Sequence, residues 1–197
     1  CVKFQTFKAE QIVTKTSPKA NYQLEVTDKK ETQFDMLKKL ELKSSQYDVL
    51  IEKCKKLDID FMSTPYNFED VDFLDNLGVF GFKVASGQLT ELPFLEYVAK
   101  KNKLIIISTG MANMSEVFDA VRCIKGSGNN NIIVLQCTTN YPSDIQDANL
   151  LAMKNIANAC DVSVGYSDHV INNYACYGAV ALGAKVIEKH FILDKKI

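Results

Sequence analysis

The chain holds only two histidines, and each closes a β-rich run: His169 in YSDH and His190 in IEKHF. Neighbouring strands lie about 4.8 Å apart, so two imidazoles at the ends of consecutive strands can reach one divalent cation. Side chains alternate in direction along a strand, which pairs Ser167 with His169 and Glu188 with His190. Two imidazoles completed by water or substrate oxygens suit Mn²⁺, Zn²⁺ or Fe²⁺ better than Mg²⁺. Asp168 and Glu188 are then the candidate carboxylates to orient the rings. Against this stands the reading of each histidine as a satisfied structural residue, since their separation in sequence matches no ligand motif.

Donors of another kind end the remaining runs. Lys83 and Ser86 in FKVASG, Thr64 in STP, Ser108 in STG and Lys3 in VKFQT bring cations and hydroxyls to successive strand ends. Such a cluster suits a dianionic phosphate or a carboxylate. Lys3 shares its face with Gln5, and their strand reads as too apolar for a sheet edge, where a lysine would serve only to block edge pairing. Two other uses remain open. A desolvated Lys3 or Lys83 could form a Schiff base, as in barrel aldolases. The serines and threonines at 63–64 and 108–109 could simply cap the helices that follow.

The elements that must position these groups alternate in texture. Short β-rich runs occupy 2–7, 59–64, 80–86, 103–108, 131–138, 162–168 and 185–191. Between them, stretches of helical period predict helices over 45–57, with Tyr47, Leu50, Ile51, Cys54 and Leu57 on one face, and over 115–125, with Val117, Ala120, Val121 and Ile124. Asn113 or Ser115 is the N-cap of the second, and Gly126 or Gly128 its stop. Residues 67–77 predict a third helix ending at Gly78. Residues 8–32 are polar and lysine-rich, contain Pro18, and read as a long loop.

Strands alternating with helices imply parallel pairing. A doubly wound sheet and a (β/α)₈ barrel both satisfy the pattern. A doubly wound nucleotide binder carries a glycine-rich turn after an early strand, and no strand end here has one. Distinct polar groups at nearly every strand end are how barrels distribute their chemistry. A whole barrel takes roughly 250 residues. The expectation is therefore an α/β chain forming one partial TIM-barrel domain over 1–197, with strands two to eight present and strand one missing.

Composition narrows the function further. With 23 Lys+Arg against 24 Asp+Glu among 197 residues, the formal charge is −1. Cations are matched by acids instead of gathered into a field, which argues against nucleic acid or an anionic membrane as partner. No apolar run approaches the roughly 20 residues of a membrane span. The six cysteines show no C-x-x-C pair and read as reduced, buried thiols of a cytoplasmic protein.

Taken in order, VKFQTF, FMSTPYN, FKVASGQLTELP, IIISTGM, CTTNYP, VGYSDH and GAKVIEKHF resemble the sialic acid synthase family, with its N-acetylneuraminate, legionaminate and pseudaminate synthases, from residue 2 to about residue 194. The resemblance implies a (β/α)₈ barrel that condenses phosphoenolpyruvate with an open-chain N-acetylhexosamine, N-acetylmannosamine first, to give a nonulosonic acid and phosphate. It implies a divalent metal, Mn²⁺ ahead of Mg²⁺ or Co²⁺, held by His169 and His190. It assigns Lys83, Ser86, Thr64, Ser108 and Ser167 to phosphoenolpyruvate with Lys3 beside it, Gln5 and Tyr141 to the sugar, and Glu188 to acid–base work. Thr139 and Asn140 fall near the sugar, with either one facing it.

The chain lacks several family segments: the first strand with its glutamate and asparagine–histidine motif, the Pro-Gly-Pro-Asp-His segment, and the C-terminal antifreeze-like domain that lends an arginine to the neighbouring subunit. Gln88 stands where many members carry an acid. The resemblance implies a homodimeric full-length enzyme, and the departures imply little activity for the 197 residues alone. A Schiff-base aldolase and a non-catalytic sugar-phosphate binding module are the competing readings.

Overall fold

The computed structural model describes residues 1–192, apart from the side chains of Glu25 and Val26. The end of the resemblance, at 193–194, lies outside them. The chain divides into two compact units, Cys1–Lys83 and Val84–Ile197.

The first unit opens with β1 (Val2–Thr6), followed by α1 (Ala9–Ile12), α2 (Asn21–Val26), α3 (Gln33–Leu40) and α4 (Ser44–Lys56). It continues with β2 (Phe61–Pro65), α5 (Phe68–Asn76) and β3 (Gly81–Val84). β1 and β2 run parallel from Val2↔Phe61 to Thr6↔Pro65, and β2 pairs with β3 at Ser63↔Phe82. One face of these strands takes the apolar stripe of α4. Phe4 stacks on Phe61 with ring centroids 5.4 Å apart, while Tyr47 meets Phe61 and Phe73 edge-on. A chain of buried hydroxyls completes that face: Thr6 Oγ1 lies 2.7 Å from Ser63 Oγ, and the Tyr47 hydroxyl donates to Thr6 at 2.9 Å. α5 begins where Asn67 Oδ1 accepts from Asp70 N–H (2.8 Å) and stops at Gly78, whose φ of +76° an L side chain rarely adopts.

Two expectations fail in this unit. The segment 8–32 is not a long loop but carries α1 and α2. Helices of four and six residues leave no periodic window to read. Their order comes from a polar core: the buried Lys19 ammonium donates to Thr27 Oγ1, the Asp28 carbonyl and Glu31 Oε1, each at 2.8 Å, using all three of its protons. The strand bearing Lys3 was expected inside the sheet. Among the described residues β1 pairs only with β2, and its pattern of half-buried and exposed residues is that of an edge.

The second unit runs α6 (Leu92–Ala99), β4 (Leu104–Ser108), α7 (Met114–Gly126), β5 (Ile132–Cys137), α8 (Ala152–Cys160), β6 (Ser163–Asp168), α9 (Tyr174–Ala181) and β7 (Ile187–Lys189), with 3₁₀ turns at Ser86–Gln88 and Ile145–Ala148. β4 to β7 are parallel to their neighbours in sequence order. The order is what strand–helix–strand units produce. α7 buries the four residues its period picked out, Val117, Ala120, Val121 and Ile124, and Asn113 caps it by accepting from Ser115 and Glu116 N–H. Gly165 on β6 is a packing requirement: a Cβ there would stand 2.3 Å from the Val186 carbonyl and 2.7 Å from Leu135 Cδ2. All six cysteines are free thiols, four of them buried. No helix among the described residues is long and apolar enough to cross a membrane.

Candidate active site

Strand register sorts the polar residues of the second unit onto two faces. Cys137, Ser167 and Glu188 stand opposite one another across β5, β6 and β7, and Asp168 stands opposite Lys189 one step on. Alternation therefore gives Ser108, Cys137, Ser167 and Glu188 to one face, with His169 and His190 continuing its parity just past the strands. Ser167 Oγ donates to Glu188 Oε1 at 2.8 Å. The rings of His169 and His190 lie 5.4 Å apart between centroids, tilted by 53°. Tyr141 packs on both, 4.3 Å from His169 and 5.9 Å from His190. The sequence expectation that the two imidazoles converge is met.

His169 is held by the loop that leaves β5. Its Nδ1 lies 2.7 Å from the Thr138 carbonyl. A carbonyl only accepts, so Nδ1 is the donor and the neutral ring carries its lone pair on Nε2. Burial works against charging this ring, but Cys137, the Thr138 carbonyl and Glu188 outweigh it and raise the affinity for a proton. For Cys137, burial acts to raise the thiol, and hydrogen bonding and charge from His169, with Ser86 and Ser167, bring it below the ordinary value. Among the described residues no group of three or more His, Cys, Asp or Glu is arranged to hold a metal. The protein donors on this face are thus the imidazole pair, which fits a metal whose other positions are filled by water or substrate oxygens.

Asp168, expected to orient an imidazole directly, makes no hydrogen bond to either ring among the described residues. It projects from the opposite face, where it accepts from Lys189 Nζ, Cys176 Sγ and Val170 N–H. Neighbouring sequence positions in a strand face opposite ways, so Asp168 could not share a face with His169. Cys137 was the functional neighbour that sequence reasoning passed over. It was read only as a reduced, buried thiol, and the strand register that sets it beside Ser167 is not a local signal.

Hydroxyls at the strand ends are not helix caps, since Asn67 and Asn113 fill that role. Ser86 Oγ instead accepts from Gly110 N–H at 3.0 Å and donates to Cys137 Sγ. A Cβ on Gly110 would collide with Thr139 Oγ1 at 2.0 Å, so glycine there lets Thr139 close over Ser86. Asn140 is exposed, and its carbonyl accepts from Ser143 Oγ. Of the two, Thr139 is the one whose side chain reaches the Ser86 cluster. Ser108 is buried on the same face.

The remaining candidates belong to the first unit. The register Gln5↔Thr64, with Ser63↔Phe82 beside it, sets Gln5, Thr64 and Lys83 in one row across β1, β2 and β3, on the face opposite the Tyr47 cluster. Lys3 shares that face one step down, opposite Met62. Thr64 and Lys83 are each 2% exposed, Lys3 is half-buried and Gln5 exposed. The Thr64 hydroxyl is buried and has no hydrogen-bond partner among the described residues. A buried, unsatisfied donor beside a buried ammonium is the arrangement an anionic ligand completes.

Comparison with known proteins decides the family. The NeuB family model matches residues 1–197. The chain belongs to the NeuB family. This NeuB chain is 48% identical over 198 residues to the N,N'-diacetyllegionaminic acid synthase of Campylobacter jejuni and 44% identical over 200 residues to that of Legionella pneumophila. The matches take in the whole chain but 59% and 56% of those relatives, so it spans somewhat over half their length. It superposes on the N-acetylneuraminic acid (sialic acid) synthetase of Leptospira borgpetersenii with a TM-score of 0.86 at 29% identity, covering 98% of this chain and 63% of that one. A truncated 3-deoxy-D-arabino-heptulosonate 7-phosphate synthase from Thermotoga maritima, at 17% identity and a TM-score of 0.63, shares the fold alone. The α/β class and the family resemblance are borne out.

Proposed function

We propose that this protein makes a nonulosonic acid by joining phosphoenolpyruvate to the aldehyde of an open-chain N-acetylated aminosugar, with release of phosphate. The observation that carries the reading is the pair of imidazoles 5.4 Å apart, on the face that also bears Glu188 and Ser167. The names of the relatives support the product class. They also bear on the sugar: two relatives above 40% identity are named for a diacetyl product, which favours a diacetamido hexose over N-acetylmannosamine.

The roles follow from chemistry. Lys83, with Lys3 and the Thr64 hydroxyl, neutralises and orients the phosphate and carboxylate of phosphoenolpyruvate. Ser86, Ser108 and Ser167 line the phosphoenolpyruvate site with their hydroxyls. Carbon 3 of phosphoenolpyruvate bonds to the aldehyde carbon, and the carbonyl electron pair moves to its oxygen, which takes up a proton. Water then adds at carbon 2 and gives its proton to Glu188, which Ser167 holds in place. The carbon 2 hydroxyl then gives up its proton to solvent as the C–O bond to phosphate breaks, its electron pair leaving with the phosphate, and the 2-keto acid remains. Gln5, Thr139 and Tyr141 orient the sugar, with Asn140 at the rim. A bound divalent cation, Mn²⁺ first, on His169 and His190 would polarise the aldehyde as a Lewis acid.

The test is phosphate release by the whole protein from phosphoenolpyruvate with N-acetylmannosamine and with a diacetamido hexose, each with Mn²⁺, Mg²⁺ or Co²⁺ after chelation. Release with one sugar is expected. No release with either, or a borohydride-trapped adduct on Lys3 or Lys83, would replace the synthase by a binding module or an aldolase.

A further inference from the structure

The helix-facing side of β6 and β7 carries an ion pair that the proposed chemistry does not use. We propose that Lys189 and Asp168 form a positioning clamp that fixes the two metal-binding imidazoles relative to each other. The inference rests on the metal reading of His169 and His190. Lys189 on β7 lies between Glu188 and His190, and its Nζ reaches the last residue of β6 and two carbonyls of the segment that follows it. It contacts Asp168 Oδ2, the Val170 carbonyl at 2.6 Å and the Asn172 carbonyl at 3.0 Å. Two of these partners are the residues immediately before and after His169. Asp168 Oδ1 in turn accepts from Val170 N–H at 3.0 Å. One ammonium, projecting from the residue before His190, thus ties down the backbone on both sides of His169.

The clamp sits where ring placement is set. His169 just follows β6 and His190 just follows β7, and the last β6–β7 pair is Asp168↔Lys189. Beyond that pair the strand ladder no longer fixes the separation of the chains. The ion pair therefore acts on the placement of the imidazoles together with the Thr138 carbonyl on His169 Nδ1, Ser143 N–H donating to the His169 carbonyl at 2.9 Å, and Tyr141 against both rings. The Asp168 side chain is fully buried while that of Lys189 is 30% exposed. Buried ion pairs are weak contributors to net stability and better placed to fix geometry. Groups behind metal ligands commonly control affinity by 10–100-fold.

Mn²⁺ binding to the whole protein, followed by calorimetry and by the paramagnetic resonance line shape of the bound ion, tests the clamp alongside thermal unfolding. Lys189→Met and Asp168→Asn are expected to weaken Mn²⁺ by about tenfold or more and to broaden the spectrum. Cys176→Ala breaks the same buried network at its thiol–Asp168 contact (2.9 Å) without touching Lys189. It is expected to lower the melting temperature while leaving Mn²⁺ affinity within about twofold, a separation that a merely structural role does not produce. His190→Ala separates the two readings. If it abolishes Mn²⁺ binding while Lys189→Met and Asp168→Asn bind as the unaltered protein does, the clamp is wrong and the metal site stands. If His190→Ala also binds Mn²⁺ unchanged, the metal reading itself falls.

Discussion

On one side of β6 and β7, Asp168, Lys189 and Cys176 satisfy one another and the backbone around them, with the carboxylate wholly out of solvent. On the other side, Ser167 donates to Glu188, His169 is half-buried and His190 exposed, and Tyr141 leans on both rings. The same two strands therefore carry a closed network and an open one. A closed network fixes geometry, because breaking any member strands the others in a medium that solvates charge poorly. An open one keeps polar groups within reach of solvent and ligand, at the cost of depending on the closed side for its shape. Catalytic power should sit on the open face and structural dependence on the closed one.

The largest expected effects test that division directly. His190→Ala should lower the rate of phosphate release by about a thousandfold, roughly 4 kcal/mol of barrier, with little change in melting temperature for so exposed a side chain. Glu188→Gln keeps the Ser167 hydrogen bond but cannot take a proton. It should lower kcat about a hundredfold with the KM for phosphoenolpyruvate near the unaltered value. Steady-state assays beside a melting curve check both. A large stability loss with unchanged turnover in either variant would reverse the assignment of the two faces.

Much of this arrangement could be read in advance, and the exceptions have physical causes. Strand positions and the α7 face were legible because β-branched runs and a 3.6-residue period are local signals. The meeting of His169 and His190 was legible from parity and strand succession. The duty of Asp168 was misjudged because sequence adjacency to His169 was weighed above alternation, which sends neighbours to opposite faces. That β1 pairs with β2 alone is a property of sheet order, and five residues of a strand do not encode it. The ordering of 8–32 depends on Lys19 finding three acceptors that lie 8 to 12 residues away, which composition registers only as polarity.

Asp70 challenges the rule that buried charge in the helix layer is paired. It lies on α5, 8% exposed, with a long hydrogen bond from Tyr66 N–H at 3.3 Å to its carboxylate. Burial pushes its carboxyl up from 3.8 to about 6, against the Tyr66 and Asn67 backbone bonds, with Glu69 raising it and Lys8 lowering it. The folded state holds this proton more tightly than the unfolded chain. Its contribution is therefore complete below pH 3.8 and is lost as pH rises through about 6. About two pH units correspond to roughly 3 kcal/mol as an upper figure. Asp70→Asn keeps an acceptor for Tyr66 and has no charge to bury. It should match the unaltered protein near pH 3.5 and be about 1–3 kcal/mol more stable near pH 7.5, as read by denaturant titration. Equal stabilities at both pH values would mean that a counter-charge reaches Asp70 in solution.

The smallest effect offers the sharpest contrast, because it sets adjacent residues of one strand against each other. Ser63 and Thr64 on β2 are both almost fully buried, yet Ser63 belongs to the closed hydroxyl chain with Thr6 and Tyr47, while the Thr64 hydroxyl has no partner among the described residues. Ser63→Ala removes a partner from that buried chain and should cost about 1–2 kcal/mol, leaving the KM for phosphoenolpyruvate unchanged. Thr64→Val removes a hydroxyl whose burial nothing repays in the unliganded protein, so it should leave stability unchanged or raise it by up to about 1 kcal/mol. Its effect should appear instead as a KM for phosphoenolpyruvate about tenfold higher, the value of one hydrogen bond to a charged ligand. A Thr64→Val protein with an unaltered KM would show that the unsatisfied hydroxyl is not kept for the anion. The division between closed and open faces would then hold for β6 and β7 but not for β2.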